Sequence, residues 1–506
     1  MIQTLFAIIP IAWLILSLAV FRIRGDLACL IGLVITIVTS IFAFDFKVTD
    51  SLTAALEGAM MGFWPIVYII VAAVFTYNLT TASGGMSVIK QLLTSISNDR
   101  RILVLILAWG FGGFLEAIAG FGTAVAIPAS ILVALGMKPL RAALICLIAN
   151  TTPTAFGAIG LPVTTLAQVT GLEVKQLSVI VSIQLFLLIV AIPFVLVSLA
   201  GEGDRSFKGI FGLTLASGLS FALPQIVISH YLGAELPSII GSLLCILVTV
   251  LFVKLKEKGN VSSETAEPVS LKEGVMASLP FLLVFIFIML TSSLFPAINQ
   301  LLSKVSTTFS IYTGDHAKPY TINWLTSPGT MIILATVLAG FCQGMSIGQI
   351  GQILAKSIKQ LTKPMVTVAS IVALSKVMSY SGMIGTIAVS LVAVTGGFYP
   401  FIAPIIGSLG TFITGSDTSA NVLFGELQVK AASNLNMNPY WLAAANMSGA
   451  TAGKMISPQS IAVAAVAIGL EGQEGRLLKE VMKFCFLYIL LTCLVVFIMG
   501  KALGYL

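Results

Sequence analysis

Charge is what this 506-residue sequence has least of, because only 9% of its residues are charged, against about 25% in a typical soluble domain. A soluble fold of this length could not cover its surface with so few charges. Histidine is nearly absent, with only His230 and His316. No HExxH motif, phosphate-binding Walker A loop or Cys/His metal spacing occurs. These absences argue against a membrane metalloprotease and against an ATP-driven pump.

Cysteine is also scarce, and no two cysteines form a CxxC pair. All six lie in apolar segments, so they are interpreted as small core residues and not as metal or redox sites. They are Cys29, Cys146, Cys245, Cys342, Cys485 and Cys493. The first ten residues contain no basic residue, and Arg22 and Arg24 follow the first apolar run, which predicts an uncleaved first helix.

Apolar runs fill most of the sequence, which is 58% hydrophobic. Many of them reach the roughly 18–25 residues that a helix needs to cross a membrane. The predicted fold is therefore an all-α polytopic membrane protein with about twelve transmembrane helices and two re-entrant hairpins. Ten plain helices are predicted near residues 4–21, 27–44, 62–82, 176–200, 209–229, 237–253, 275–296, 327–343, 364–382 and 482–504.

Four apolar stretches are too rich in Gly, Pro and Asn to be plain helices. Residues 102–136 and 398–434 are predicted as re-entrant hairpins, and residues 142–170 and 440–469 as broken helices with breaks at Asn150-Thr151-Thr152 and Asn446-Met447-Ser448. With the N-terminus outside, this topology puts most Lys and Arg on the cytoplasmic side, as the positive-inside rule requires. The net charge of +7 is therefore assigned to orientation and not to nucleic acid binding.

The two halves of the chain resemble each other. The segment ANTTPTAFGAIGLP at 149–162 aligns with ANMSGATAGKMISP at 445–458, and the hairpin sequences keep nearly the same offset. The predicted topology inverts the two copies, an arrangement typical of secondary transporters whose sites lie near the membrane midplane. The predicted organisation is an extra helix at 1–26, repeat 1 at 27–200, three helices at 201–326 with a cytoplasmic linker 255–273 and an external loop 297–326, and repeat 2 at 327–506.

Two carboxylates lie within apolar segments, where a charge is costly and usually functional. Glu116 precedes the tip of the first hairpin, in EAIAGFGTA at 116–124, and is a candidate proton carrier or ion-pair partner. Asp417 lies at the matching tip, in TGSDTSAN at 414–421, and could bind a cation, relay a proton or neutralise a lysine. TGSD is not the GxGD motif of intramembrane aspartyl proteases, so an intramembrane hydrolase is the disfavoured alternative.

Two lysines also fall inside apolar segments. Lys454 lies in the second broken helix and Lys376 midway along 364–382. Either could pair with a substrate carboxylate or with Glu116 or Asp417. The four charges sum to zero, and a monoanion that arrives with one proton preserves that balance.

Uncharged candidates come from the hairpin tips and from the helix breaks. Helix N-termini at these breaks offer free N–H groups and partial positive charge, which suit a substrate carboxylate. The predicted substrate-binding residues are Gly122, Thr123, Asn150, Thr151, Thr152, Lys376, Thr418, Asn446, Ser448 and Lys454. Glu116 and Asp417 are predicted to couple the proton. No catalytic residue, metal or organic cofactor is expected.

Four long segments carry a family resemblance: GGFLEAIAGFGTAVAIPA at 112–129, ANTTPTAFGAIGLPVTTLA at 149–167, TGSDTSANVLFGELQ at 414–428 and AANMSGATAGKMISPQSIAVAA at 444–465. With them the chain resembles the lactate permease family, which implies proton symport of L-lactate, D-lactate or glycolate across the bacterial cytoplasmic membrane.

The resemblance extends to an ion-transporter superfamily, whose dicarboxylate members use paired hairpins with Asn-Thr motifs around sodium. Met447 stands where the second motif would carry a hydroxyl, which favours protons and leaves a sodium-coupled carboxylate carrier as the alternative. Lactate and glycolate differ by one methyl group, worth about 1 kcal/mol, so the sequence does not rank them. The oligomeric state stays open, and a homo-oligomer is compatible with the sequence.

Overall fold

The computed structural model describes residues 2–506 apart from 22, 121, 202–206, 257–269, 292–294, 315, 316, 318, 471 and 472. Most of the predicted linker 255–273 and His316 therefore lie outside the described residues, as does the side chain of Thr123. Within the described residues the regular structure is almost entirely helical, as the composition predicts.

The first half of the chain forms α1 Ile2–Ile15, α2 Gly25–Ala43, α3 Val48–Met61, α4 Tyr68–Ala82, α5 Gly85–Thr94, α6 Arg100–Val104, α7 Gly112–Ile118, α8 Thr123–Ala134, α9 Pro139–Ala149, α10 Gly157–Thr170, α11 Val174–Ala200, α12 Phe211–Leu232 and α13 Pro237–Lys256. Short π-helical segments, Leu16–Val20, Gly62–Val67 and Leu105–Phe111, extend α1 and join α3 to α4 and α6 to α7.

The second half forms α14 Leu271–Thr291, α15 Pro296–Ser303, α16 Pro328–Cys342, α17 Ile347–Gln360, α18 Thr362–Tyr380, α19 Met383–Thr395, α20 Tyr399–Thr414, α21 Asp417–Leu435, α22 Pro439–Ile456, α23 Pro458–Ala467 and α24 Glu474–Ala502. The one described sheet pairs β1 Ser306–Phe309 with β2 Tyr320–Asn323 in antiparallel register. This small hairpin lies in the predicted external loop.

The described residues contain nine helices long and apolar enough to cross a membrane, or up to eleven if each of two bent helix pairs is one span. That architecture supports the predicted polytopic all-α membrane fold. The count of about twelve spans and the inverted repeats stay predictions. The sequence analysis did not predict α3, α5, α17 and α19, because these helices are short.

Both predicted hairpins fold as two helical arms around a tight turn. The continuous helix 100–118 and α8 form the first, and α20 and α21 form the second. Glycines in the left-handed region make both turns: Gly120 and Gly122 have φ of 60° and 84°, and Gly415 has φ of 72°. Only glycine enters this region without steric cost. Re-entry of the hairpins into the membrane stays a prediction.

The first predicted broken helix is broken as expected. α9 ends at Ala149, a 3₁₀ turn follows at Thr152–Phe156, and α10 begins with three left-handed residues, Ala158, Ile159 and Gly160. Two of these three carry a side chain, and such residues cost about 1–2 kcal/mol each in this conformation. The strained turn lies where the chain passes the end of the first hairpin.

The second predicted broken helix has its break in a different place. The sequence places it at Asn446-Met447-Ser448, but α22 runs through these residues to Ile456 and the chain breaks at Ser457. The glycines that suggested a break instead permit close packing against α20. A Cβ at Gly449 would lie 1.8 Å from the carbonyl oxygen of Pro404, and a Cβ at Gly453 would lie 2.1 Å from that of Ser408. The backbones of α20 and α22 are therefore in direct contact.

Candidate functional site

A cavity of about 870 Å³ lies between the two hairpin tips and the two broken helices. Its lining includes Gly120 from the first tip and Thr418 from the second. From there the cavity extends to the N-terminal ends of α2, α18 and α24, where Arg24 and Lys363 are exposed. The predicted topology puts all three of these helix ends on the cytoplasmic side.

Glu116 and Asp417 both line the cavity, one from each hairpin. Each is only 4% exposed. Among the described residues, Oε2 of Glu116 and both carboxylate oxygens of Asp417 make no hydrogen bond of normal geometry, although the hydroxyls of Thr154 and Thr411 are close enough to interact with Asp417. An unpaired buried carboxylate is costly, so this arrangement needs a proton, a counter-ion or a ligand to complete it.

Lys454 supplies positive charge to the same cavity. Its Nζ donates a hydrogen bond of 2.9 Å to the carbonyl oxygen of Gly415, which ends α20. The ammonium group is close enough to attract the carboxylates of both Glu116 and Asp417. Of the four charged groups that the sequence predicts to balance, the structure brings Glu116, Asp417 and Lys454 together and leaves Lys376 elsewhere.

Three helices begin at the cavity wall: α10 at Gly157, α21 at Asp417 and α23 at Pro458. The N-caps of the last two are serines, Ser416 and Ser457, whose hydroxyls accept backbone N–H bonds. The partial positive charge of helix N-termini favours an anion in the cavity. The carboxylate of Asp417 already lies in the first turn of α21 and offsets the partial positive charge of that terminus. The N-termini of α10 and α23 are therefore the two that can attract a bound anion.

The first helix break lies directly behind Glu116. A Cβ on Gly157 would lie 2.8 Å from Oε1 of Glu116, so glycine is needed there for the carboxylate to fit. Asn150 interacts with Glu116, yet neither polar atom of its amide meets the criteria for a hydrogen bond within the described residues. Thr151 donates to the carbonyl oxygen of Ile148 at 2.8 Å. These residues support the cavity wall from behind.

The remaining uncharged candidates divide between the cavity and the protein interior. Thr418 lines the cavity, whereas Gly122 packs against Val463 of α23. The hydroxyl of Thr152, 1% exposed, has no hydrogen-bond partner in the described part of the chain.

Asn446 and Ser448 lie in a buried polar network away from the cavity. The amide of Asn446 donates to Oδ1 of Asn421 at 3.0 Å, and the hydroxyl of Ser448 donates to Oε1 of Gln184 at 2.9 Å. These bonds tie α22 to α21 and to α11. In this structure their polar groups are thus occupied by other side chains and do not face the cavity.

Lys376 lies apart from the cavity charges. Its Nζ is 3.5 Å from Oε1 of Glu57, a residue of α3 that sequence reasoning missed. α3 has 14 residues, too few to cross a membrane alone, so the sequence analysis did not predict it as a helix. The signal available was Lys376 itself, because an intramembrane lysine requires a counter-charge.

Comparisons with known proteins identify the family of the chain. Among solved structures, the chain is similar to the YdaH transporter of Alcanivorax borkumensis, with 14% identity, a TM-score of 0.48 and coverage of 89% of this chain and 88% of that one. The L-lactate permease of Streptococcus iniae is 82% identical over 444 residues, which cover 88% of this chain and 94% of the relative. Glycolate permease GlcA of Escherichia coli K12 is 37% identical over 527 residues, covering 96% and 94%. The family pattern of L-lactate permease matches residues 3–503. The chain therefore belongs to the L-lactate permease family, whose members are membrane transporters and not enzymes.

Proposed function

We propose that this protein imports lactate, and also glycolate, together with a proton by alternating access across the bacterial cytoplasmic membrane, with its N-terminus outside. The observation that carries the proposal is the cavity in which two buried carboxylates face one ammonium group. Relatives named L-lactate permease and glycolate permease support the substrate class.

Lys454 is the residue proposed to bind the substrate carboxylate. A lysine ammonium has three N–H donors, and only one of them, the bond to Gly415, is used within the described residues. The other two can reach a carboxylate in the cavity. The helix N-termini at Gly157 and Pro458 add partial positive charge on the opposite wall.

The balance of charge in the cavity supports a proton as the coupling ion. With Lys454 charged and one proton shared by Glu116 and Asp417, the three groups sum to zero. A lactate anion adds one negative charge, and a second proton on the carboxylates cancels it. Because net charge is costly in a buried site, this arithmetic favours one proton carried with each lactate.

A sodium-coupled carrier is the second candidate. Its motif in the first repeat, Asn150-Thr151, is present, but in the second repeat Met447 replaces the hydroxyl. The Lys454 ammonium group already interacts with both carboxylates, and it would repel a second cation. These two features favour the proton.

The shape of the cavity supports alternating access. It extends to helix ends that are predicted to be cytoplasmic, and its lining includes no described residue of the predicted external loop 297–326. A pathway that is open at one end only is what a transporter requires between its two facing states.

Uptake of radiolabelled L-lactate into proteoliposomes with an alkaline interior tests the proposal, with and without a sodium gradient. We expect accumulation that requires the pH gradient and does not respond to sodium. Glu116→Gln cannot release a proton, so it should abolish accumulation driven by pH while retaining exchange of internal for external lactate. Lys454→Ala should raise the half-saturation concentration.

Glu480→Gln is the matched control, because it makes the same chemical change on an exposed part of α24, where Glu480 pairs with Lys483. It should transport like the wild type. Full accumulation by Glu116→Gln would refute the proposed role of Glu116. A requirement for sodium would replace the proton with the second candidate.

A further inference from the structure

The ion pair between Lys376 and Glu57 lies at the opposite end of α18 from the cavity. Lys363, at the start of α18, lines the cavity mouth. Thirteen residues separate it from Lys376, which corresponds to about 20 Å along a helix. The side chains of Lys376 and Glu57 are 18% and 4% exposed. A second, nearly buried charge site therefore exists at the predicted external end of the same helix.

Two tyrosines cover this pair. Tyr380 donates a hydrogen bond of 2.7 Å from its hydroxyl to Oε1 of Glu57. Its ring stacks on Tyr312, with ring centres 3.9 Å apart and planes only 3° from parallel. Tyr312 belongs to the segment between β1 and β2, in the predicted external loop. We refer to Glu57, Lys376, Tyr380 and Tyr312 as the outer cluster.

The loop segment that carries Tyr312 is held in place from the other side by α3. Thr313 of this segment bonds to the hydroxyl of Thr53 at 3.1 Å and, at 3.5 Å, to Oδ1 of Asp50. These contacts are exposed hydroxyl bonds, which water can replace at little cost. The segment is therefore held over the ion pair by exposed hydroxyl bonds at Thr313 and by the buried ring of Tyr312, which packs against Ala54 and Val377.

Both charged groups of the outer cluster have unused bonding capacity. The Lys376 ammonium lies over the Tyr380 ring, 5.2 Å from its centre, but makes no hydrogen bond to the described residues. Its distance of 3.5 Å to Oε1 of Glu57 is longer than the roughly 2.7–2.9 Å of a charge-assisted bond. Oε2 of Glu57 is buried without a partner among the described residues. A buried ion pair is stabilising only when its geometry is good and its remaining lone pairs and protons are bonded, so stability alone does not account for this pair.

Distance between the two helices does not explain the long pair either. A Cβ on Gly58, next to Glu57, would lie 2.5 Å from Cα of Ala373. The backbones of α3 and α18 are thus already in contact beside the pair. Rigid helices hold the two charges near each other, while the N–H groups of Lys376 and Oε2 of Glu57 have no hydrogen-bond partner among the described residues.

We propose that Lys376 is the residue that recognises the substrate carboxylate at the external entrance, and that Glu57 takes the place of that carboxylate while the entrance is closed. In the open state Tyr312 leaves Tyr380, the substrate carboxylate pairs with Lys376, and Oε2 of Glu57 accepts the hydrogen of the 2-hydroxyl group. The ligand class is a small 2-hydroxymonocarboxylate. This inference rests on the proposed function, because it needs lactate to enter from outside.

The test compares the two directions of transport. Half-saturation concentrations for L-lactate are measured in right-side-out and inside-out membrane vesicles. Lys376→Gln should raise the external value by about ten- to a hundredfold, as expected for the loss of a hydrogen bond to a charged group, and leave the internal value nearly unchanged. Glu57→Gln should lower the external value, because it removes the competing carboxylate.

The double variant Glu57→Gln/Lys376→Gln separates recognition from a structural role. Removing one partner of a buried ion pair is destabilising, whereas removing both charges is usually tolerated. A purely structural pair therefore predicts wild-type transport in the double variant. Recognition predicts a folded and active double variant whose external half-saturation stays raised. Restoration of the wild-type value in the double variant would overturn the inference.

Failure of this inference differs from failure of the proposed function. A wild-type protein that accumulates no lactate would overturn both the proposed function and the inference. A wild-type protein that accumulates lactate, beside a Lys376→Gln variant with unchanged external half-saturation, would overturn the inference alone. Lys483→Gln, which removes a lysine from an exposed ion pair on α24, is the matched control and should leave both values unchanged.

Discussion

One glycine within α10 and the glycine that directly follows this helix provide a controlled test of how the strained turn behind Glu116 is held. Gly160 and Gly171 have nearly the same backbone conformation, with φ of 73° and 72°. A Cβ on Gly160 would lie 2.1 Å from the carbonyl oxygen of Ala234, whereas a Cβ on Gly171 would have nothing within 4 Å. Alanine at either position has the same backbone cost, but only at Gly160 does it meet another segment.

The expected losses of stability follow from the backbone cost of a left-handed alanine and from the steric overlap with Ala234. Gly171→Ala should lower the free energy of unfolding by about 1–2 kcal/mol, the cost of a left-handed alanine. Gly160→Ala should lower the free energy of unfolding by the same backbone cost and by about 1–3 kcal/mol more, because the overlap with a main-chain carbonyl forces the backbone to shift. The two variants should therefore differ by about 1–3 kcal/mol.

Thermal unfolding of the purified variants in detergent measures this difference, and lactate uptake shows its effect on function. Gly160→Ala should also transport more slowly, because the displaced turn begins at Gly157, which contacts Glu116. Gly171→Ala should transport like the wild type. Equal losses of stability in the two variants would refute the argument that contact with Ala234 holds the turn.

Two further predictions concern residues outside the cavity. Ser448→Ala removes the donor to Gln184 and should lower the free energy of unfolding by about 1–3 kcal/mol, with lactate half-saturation unchanged; a raised half-saturation would show that Ser448 contacts substrate. Asp99 caps the start of α6. Burial is the largest single effect on its carboxylate and opposes the charge, but the hydrogen bonds from the guanidinium and backbone N–H of Arg101, together with the positive charge of Arg101, outweigh burial, so the pKa of Asp99 is lowered. Its ionised form therefore stabilises the fold at neutral pH, and this contribution is lost as the pH falls through the lowered pKa. Asp99→Asn should unfold more easily than the wild type at neutral pH and lose less stability on acidification, which acid unfolding followed by circular dichroism would measure; equal acid sensitivity would contradict the assignment.

Much of the fold could be predicted because its strongest signals are local. A plain helix in lipid does not accommodate a carboxylate, paired glycines and a proline within one apolar run. The sequence therefore predicts both hairpin tips and the first helix break at the residues where the structure has them. The cavity residues Glu116, Asp417 and Lys454 were predicted for the same reason: a charge in such a run needs a function.

The position of the second helix break could not be predicted from the sequence, because glycine has two structural roles that produce the same sequence pattern. It permits a break, and it also permits another backbone to approach closely. Near Asn446 the second use applies, but its partner is α20, about forty residues away. Pro458 marks the real break, since proline is favoured at the first position of a new helix.

The partner of Lys376 was missed for a related reason. Glu57 lies in a helix of 14 residues, which is shorter than a membrane span. The sequence-based sum of intramembrane charges left out Glu57 and treated two lysines and two carboxylates as one balanced set, whereas the fold divides five charged groups between two sites. Lys376 pairs with Glu57 at one end of α18, and the other three charges meet in the cavity.

The direct backbone contact between α20 and α22 restricts how the cavity charges can move. No side chains lie between these helices at Gly449 and Gly453. There is thus no layer of side chains that could repack and let the two helices slide past each other. Lys454 sits on α22 and bonds to the end of α20, two residues before Asp417. The ammonium and the Asp417 carboxylate therefore travel as one piece through any change of access. Glu116, on the other hairpin, is the carboxylate whose separation from Lys454 a rigid-body motion can change.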